Sequence, residues 1–348
     1  MASQSRVSRA KAQPPFFVGV DLGGTNIKVG VVDDLGRTLH FDSTPTRVQQ
    51  GAEAGAKRIA GAVKKAIAAA ELKKTEVAGV GLGSPGTMDV PLGMLIDPAN
   101  LPGWRNFPIR DRVSELVGCP VAFANDARAA AFGELWIGYG RGRADLKSMI
   151  VLTLGTGIGC GIILQGQIHD GAHSHGGEFG HSIINFHPDA RQCGCGKLGH
   201  FEAYASATGV AKRAVEAIQT GRASSLRDRI AANEEMEAKL VAEEAEKGDP
   251  LSIELVLETA RYLAVGIVNL MHSIDPQAIL LGGAATFGGH ASPVGRQFLE
   301  EVRAEVGRRA YRYLVERTEI DFAQLGGEAG YIGAAAVARE AYRVARTP

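Results

Sequence analysis

The sequence holds no surplus of charge: Lys plus Arg and Asp plus Glu each number 38. Tracking nucleic acid or docking on anionic lipid needs a basic excess, so the composition argues against both partners. There is no apolar run of the roughly 18 residues that a membrane-spanning helix requires. Residues 1–15 carry Ser, Lys and Arg and lack the apolar core of a signal peptide. They read as a disordered tail, with the cytoplasm as the expected compartment. Cysteine is scarce, with four residues, two of them clustered, which makes no disulfide framework. Glycine is abundant instead: 45 residues gathered in discrete turns, which marks special backbone positions and not low complexity. The length of 348 residues suggests about two domains, and a hydrophobic share of 45% is enough to bury a sizeable core.

Two of the cysteines sit in the stretch G-G-E-F-G-H-S-I-I-N-F-H-P-D-A-R-Q-C-G-C-G-K-L-G-H-F-E-A-Y-A-S, residues 176–206. Thiolate and imidazole are the ligands that zinc prefers in tetrahedral sets of four. His181, Cys193, Cys195 and His200 would supply such a set, spaced H-x11-C-x-C-x4-H. Gly194 and Gly196 let the chain fold tightly around an ion. The competing readings are a disulfide or a reactive thiol pair. A C-x-C disulfide is strained, and a cytosolic chain keeps its thiols reduced. Residues 182–197 have little apolar surface of their own, so a metal would supply the missing constraint.

Along the chain, residues 16–20, 27–32 and 38–43 read as strands, with Asp21-Leu22-Gly23-Gly24-Thr25-Asn26 as the first turn. Adjacent glycines let amides approach an anion, and Asp21 at the strand end could hold Mg²⁺ through water. A plain glycine hairpin explains the same letters. The pattern of strand, Gly/Thr turn, strand, glycine turn, strand recurs at 149–169, with Gly155-Thr156-Gly157 as its first turn. Two halves on one sheet plan would each offer a loop to one phosphate chain.

Helices are expected at 54–74, 108–117, 127–137, 203–220, 225–247, 250–274, 295–309 and 334–344. Further strands are expected at 77–82, 121–124, 278–281 and 318–322, and a loop at 97–104. Gly81-x-Gly83-x-x-Gly86 mimics a dinucleotide fingerprint, but no helix start follows it. Asn125-Asp126 stands between a strand and a helix. That is either a plain N-cap or a ligand position, because ligands gather where strands run into helices.

In combination, D-L-G-G-T-N, G-S-P-G, N-D-A, L-G-T-G-I-G-C-G, G-E-F-G-H, C-G-C-G-K-L-G-H-F-E-A-Y-A-S and L-G-G resemble the ROK family of repressors, open reading frames and sugar kinases. The resemblance runs from about residue 16 to 345, and is strongest to the bacterial glucokinases of that family. It implies a two-lobed, actin-like (ribonuclease H-like) α/β ATPase fold with a duplicated mixed sheet and a cleft between lobes. Residues 16–137 would form the first lobe, the C-terminal helix 334–348 would pack back on it, and 138–333 would form the second.

The implied function is an ATP-dependent hexose kinase in the cytoplasm. Asp21, Gly23, Gly24, Thr25, Asn26, Gly155, Thr156, Gly157, Gly282 and Gly283 would bind ATP with Mg²⁺. Asp126 would be the catalytic base. Ser84, Asn100, Asn125, Asp126, Glu178, His181 and Glu202 would contact the sugar. Structural zinc would sit on His181, Cys193, Cys195 and His200. The family's fourth ligand is usually a cysteine, so His200 is a departure and His187 competes for the role. A dimer or tetramer is the expected assembly.

Other readings within the resemblance are kinases for N-acetylmannosamine, N-acetylglucosamine, fructose or allose, and polyphosphate as donor. A sugar-sensing repressor would need a DNA-binding module, and about 20 residues before Asp21 are too few for one. A non-catalytic zinc module that binds a partner would be expected to lack Asp126. Because the nucleotide loops lie elsewhere in sequence, metal loss is expected to weaken sugar binding more than nucleotide binding.

Overall fold

The first apolar run and its neighbour pair because both faces of the sheet they make are covered. Strand β1 (Phe16–Leu22) is buried at every position but Asp21, the near-continuous apolar run of a strand packed on both faces. It pairs antiparallel with β2 (Asn26–Val32), which sets Phe17 opposite Val32 and Asp21 opposite Lys28. The chain continues through β3 (Thr38–Pro45), β4 (Val77–Ser84), a small hairpin of β5 (Thr87–Asp89) and β6 (Met94–Asp97), and β7 (Val121–Asn125). The first sheet runs β3-β2-β1-β4-β7, with β4 parallel to both β1 and β7.

The same plan follows with β8 (Met149–Leu154), β9 (Ile158–Leu164), β10 (Gln167–Ile168), β11 (Ala278–Gly282) and β12 (Glu319–Phe322). Their order is β10-β9-β8-β11-β12, strand for strand the order of the first sheet. The repeat expected from the two Gly/Thr turns is therefore a repeat of topology.

The computed structural model describes residues 6–346. They divide into two compact units. One runs to Lys147, takes in Gly161–Gly176, and resumes at Gln324; the other holds Ser148–Cys160 and Gly177–Ala323. The sequence reading sets its boundaries at 137/138 and 333/334; in the structure Gly161–Gly176 groups with the first unit. Of the expected tail, residues 6–15 are tied down instead: Val7 N donates to Thr38 O at 2.9 Å, Gln13 N to Asp33 Oδ2 at 3.0 Å, and Arg9 pairs with Glu76. Residues 1–5 lie outside the described residues.

The helix Ala329–Val344 lies directly on β1 and β4, and glycine makes that possible. A Cβ on Gly19 would stand 1.7 Å from Tyr331 O, and one on Gly81 1.7 Å from Ala334 O. The helix starts five residues earlier than expected because its first turns contain Gly330 and Gly333, which weigh against a helix locally. Gly333 is required by packing: a Cβ there would meet Ala129 O at 2.0 Å.

Two expected helices are each divided. Ser206 is extended and caps Ala207–Gln219 by accepting from Gly209 N, which ends Glu202–Ala205. Asn233, at φ 60°, lies in the break between Leu226–Ala231 and Ala238–Glu246. Pro250–Ile274 has its expected bounds, with Asp249 accepting from Ser252 N at the start and Asp275 left-handed at the end. No helix among the described residues is long and apolar enough to cross a membrane.

Candidate functional site

In the first unit, the turn after β1 leaves two amides open among the described residues. Gly23 N donates to Asn26 O at 2.9 Å, which closes the turn. The Gly24 and Thr25 amides donate to no acceptor among the described residues. Gly24 packs against the Asn100 carbonyl, which a Cβ would approach to 2.7 Å. Asp21 lies beside this turn with Lys28 Nζ at 3.6 Å from its Oδ2. Burial raises the Asp21 carboxyl above its ordinary range, and Lys28 opposes that shift. A Cβ on Gly330 would lie 2.3 Å from Asp21 Oδ2, so the C-terminal helix begins against this carboxylate.

Ser84 and Asn125 close β4 and β7 as register partners. The Asn125 side chain accepts from Ala127 N at 3.0 Å and Arg128 N at 3.3 Å, so its oxygen is engaged as the N-cap of Asp126–Trp136. Asp126 is the first helical residue, half-buried, with Oδ1 taking the Ala127 amide at 2.8 Å. Arg128, fully buried, donates to Asp170 Oδ1 at 2.8 Å and Ser174 O at 2.6 Å. It ties the Asp126 helix to the segment that runs into Gly177-Glu178.

In the second unit, Gly155 N donates to Gly157 O at 3.0 Å, and the Thr156 and Gly157 amides are open among the described residues. Ile158 N donates to Glu202 Oε2 at 3.3 Å. Gly282 ends β11, and Gly283 is left-handed at φ 90°, with Leu154 O 2.5 Å from the place of a Cβ. Glu178 precedes the turn Phe179–His181, with Oε2 4.0 Å from His181 Nε2.

The four ligand atoms of His181, Cys193, Cys195 and His200 lie within 4.8 Å of one another. Cys193 Sγ is 3.7 Å from His181 Nδ1, Cys195 Sγ is 3.3 Å from His200 Nδ1, and the two Nδ1 atoms are 3.3 Å apart. Tetrahedral zinc, with bonds of about 2.0 Å to nitrogen and 2.3 Å to sulfur, sets ligand atoms roughly 3.3–3.8 Å apart, so the donor set fits. Both cysteines are free thiols, which removes the disulfide reading. Burial, and next the Glu202 carboxylate, push the Cys193 thiol up to about 12. Burial, then His181, holds His200 below its ordinary value.

Local pairing explains the gathering. Ile183 bridges to His200 and Gln192 to Leu198, while Gly196 N donates to Cys193 O at 2.9 Å in a tight turn. His187 stacks on Phe186 and is not in the cluster.

Each expected residue thus has a place in one unit or the other. Two polar partners escaped the reading of the sequence. Lys28 was legible, because a hairpin closing at 23–26 must set 21 against 28. Arg128 gave no local signal, since its partners are 42 and 46 residues away. Glu202 also bears on one expectation: the turn at 155–157, expected to bind nucleotide, is not remote from the stretch that holds Cys193, because this side chain lies against Gly157, takes the Ile158 amide and meets Cys193 Sγ.

Known proteins resemble this chain in sequence and fold. The profile of the ROK family matches residues 17–341. A glucokinase of Halalkalibacterium halodurans is 34% identical over 318 residues, covering 91% of this chain and 93% of that one. The crystal structure of a ROK hexokinase from Thermus thermophilus superimposes with a TM-score of 0.78 at 33% identity, covering 94% of this chain and 99% of that one. A ROK family glucokinase from Streptomyces griseus, in complex with glucose and AMPPNP, gives 0.74 at 32% identity, covering 93% and 99%. The fold is the two-lobed, actin-like α/β fold of these kinases. With a family profile that spans nearly all of it, and both sheets and both Gly/Thr loops in place, the chain belongs to the ROK family.

Proposed function

We propose that the protein is an ATP-dependent glucokinase that transfers the γ-phosphoryl group to the 6-hydroxyl of glucose. The observation that carries this reading is Asp126, a carboxylate at a helix start beside the capping Asn125, in a chain 32% identical to a glucokinase crystallised with glucose and AMPPNP.

A sugar hydroxyl is a weak nucleophile. Asp126 takes its proton as the oxygen bonds to the γ-phosphorus and the bond to ADP breaks, a contribution of about 10²–10⁴ in rate. The rest of the work is positioning and charge neutralisation. The open amides of Gly24, Thr25, Thr156 and Gly157 serve the phosphates, and Gly282-Gly283 the adenosine. Asp21 would hold, through water, the magnesium that comes with the nucleotide, and that ion would supply charge neutralisation there. Ser84, Asn100, Asn125, Glu178, His181 and Glu202 bind sugar hydroxyls, since carboxylates and amides match polyol donors and acceptors.

His181, Cys193, Cys195 and His200 would hold one structural zinc, whose chemistry is to order the loop that carries Glu178 and Glu202. His181 would give Nδ1 to the metal and leave Nε2 for a sugar hydroxyl. The protein would work in the cytoplasm as a homo-oligomer.

The test is a coupled ADP assay with glucose, N-acetylmannosamine, N-acetylglucosamine, fructose and allose, each with ATP and with polyphosphate. Glucose with ATP is expected to give the highest kcat/KM. A different preferred sugar or donor would replace the substrate in this reading, and no turnover with any of them would end it.

A further inference from the structure

Thr46, just past β3, is polar and yet fully buried. Its hydroxyl donates to Gly23 O at 2.6 Å, and its own amide donates to Thr25 O at 2.8 Å. One residue therefore grips two of the carbonyls of the first glycine turn. Thr46 is itself held, because Arg58 Nη1, from the helix Ala52–Ala69, donates to Thr46 O at 2.6 Å.

A peptide unit is planar and trans, so fixing a carbonyl on one edge fixes the next residue's N–H on the opposite edge. Gly23 O shares its plane with Gly24 N–H, and Thr25 O shares its plane with Asn26 N–H. The Gly24 amide has no acceptor among the described residues. A Gly-Gly unit left to itself turns over easily, since glycine takes either sign of φ at little cost. A flipped unit would face a phosphate with a carbonyl oxygen in place of an N–H.

We propose that Thr46 is a positioning residue that clamps the Gly23-Gly24 peptide with its amide open to the nucleotide phosphates, and so sets nucleotide affinity. The proposal rests on the kinase reading above. Loss of the hydroxyl leaves the part-buried Gly23 O without its donor and frees the peptide to flip. The expected cost is about tenfold in affinity for nucleotide and little for sugar.

The experiment measures binding of Mg²⁺–AMPPNP and of glucose by calorimetry to the full chain, with turnover alongside. Thr46→Val keeps the shape and removes the hydroxyl; Thr46→Ser keeps the hydroxyl. Thr46→Val is expected to bind AMPPNP about tenfold more weakly and to raise KM for ATP, with the glucose Kd within about twofold. Thr46→Ser is expected to restore both. Wild-type nucleotide affinity in Thr46→Val would overturn the clamp alone, as would a Ser variant as weak as the Val variant. Equal loss of glucose and nucleotide affinity would also overturn it, because it would mark a general loosening of the fold. A wild-type protein that binds no AMPPNP would overturn the kinase reading and the clamp with it.

Discussion

Cys193 Sγ lies 2.9 Å from Glu202 Oε1, and the other oxygen of that carboxylate takes the Ile158 amide at 3.3 Å. One side chain thus joins the four-ligand cluster to the strand that leaves the 155–157 turn. A carboxylate wedged there explains Gly157 as well, since a Cβ at that position would stand 2.4 Å from Glu202 Oε2. Stripping the metal is therefore expected to weaken glucose binding by about tenfold or more and to weaken nucleotide binding measurably too. Calorimetry with glucose and with Mg²⁺–AMPPNP, on chelator-stripped and zinc-reloaded protein, checks it. A nucleotide affinity that ignores the metal would show that the Glu202 link transmits nothing.

One zinc per chain is expected by elemental analysis of protein purified without chelator. His200→Ala should lose most of it, His200→Cys should keep it, and His187→Ala should leave it bound, because His187 stands outside the cluster. Zinc lost in the His187 variant but kept in His200→Ala would reverse the assignment.

Asp126→Asn is expected to lower turnover to under a few per cent of wild type while glucose affinity stays within about tenfold, because an amide cannot accept the proton. Turnover comes from the coupled assay and affinity from calorimetry. Substantial residual turnover would take the base role away from Asp126.

Two glycine substitutions should move stability in opposite directions. Gly19→Ala forces a methyl into Tyr331 O and is expected to cost roughly 1–3 kcal/mol or more. Gly307→Ala, helical with nothing within 4 Å of the new methyl, is expected to gain about 0.5–1 kcal/mol. Urea midpoints decide between them; a neutral Gly19→Ala would mean that the C-terminal helix can shift off β1.

Acid should loosen the ties around the helix Ala238–Glu246. Lys247 first, then Ser225 and Arg229, hold the buried Glu244 carboxyl at about 2, against an ordinary 4.5. A carboxyl held low in the folded state stabilises it above pH 4.5, and that stability drains away as pH falls from 4.5 towards 2. Glu244→Gln is expected to melt below wild type at pH 7, with the gap narrowing by pH 3.5. A gap that widens in acid would contradict the assignment.

Local chemistry determined much of this protein. The apolar run of β8 and the bounds of Pro250–Ile274 were readable residue for residue, because each element's own letters set its period and its ends. The two Gly/Thr turns and the thiol–imidazole stretch were readable for the same reason: their chemistry is carried by neighbours in the chain. Tertiary structure decided the rest. His200, and not His187, joins the two cysteines because Ile183 pairs with the strand segment that holds it. The C-terminal helix begins at Ala329 because Gly330 and Gly333, poor helix formers by themselves, are the residues small enough to lie against Asp21 and Ala129. Thr46 and Arg128 find their carbonyls and carboxylate 21 or more residues away. A buried hydroxyl or guanidinium needs a partner, but which one it meets depends on how the strands and helices pack, and no run of neighbouring residues encodes that.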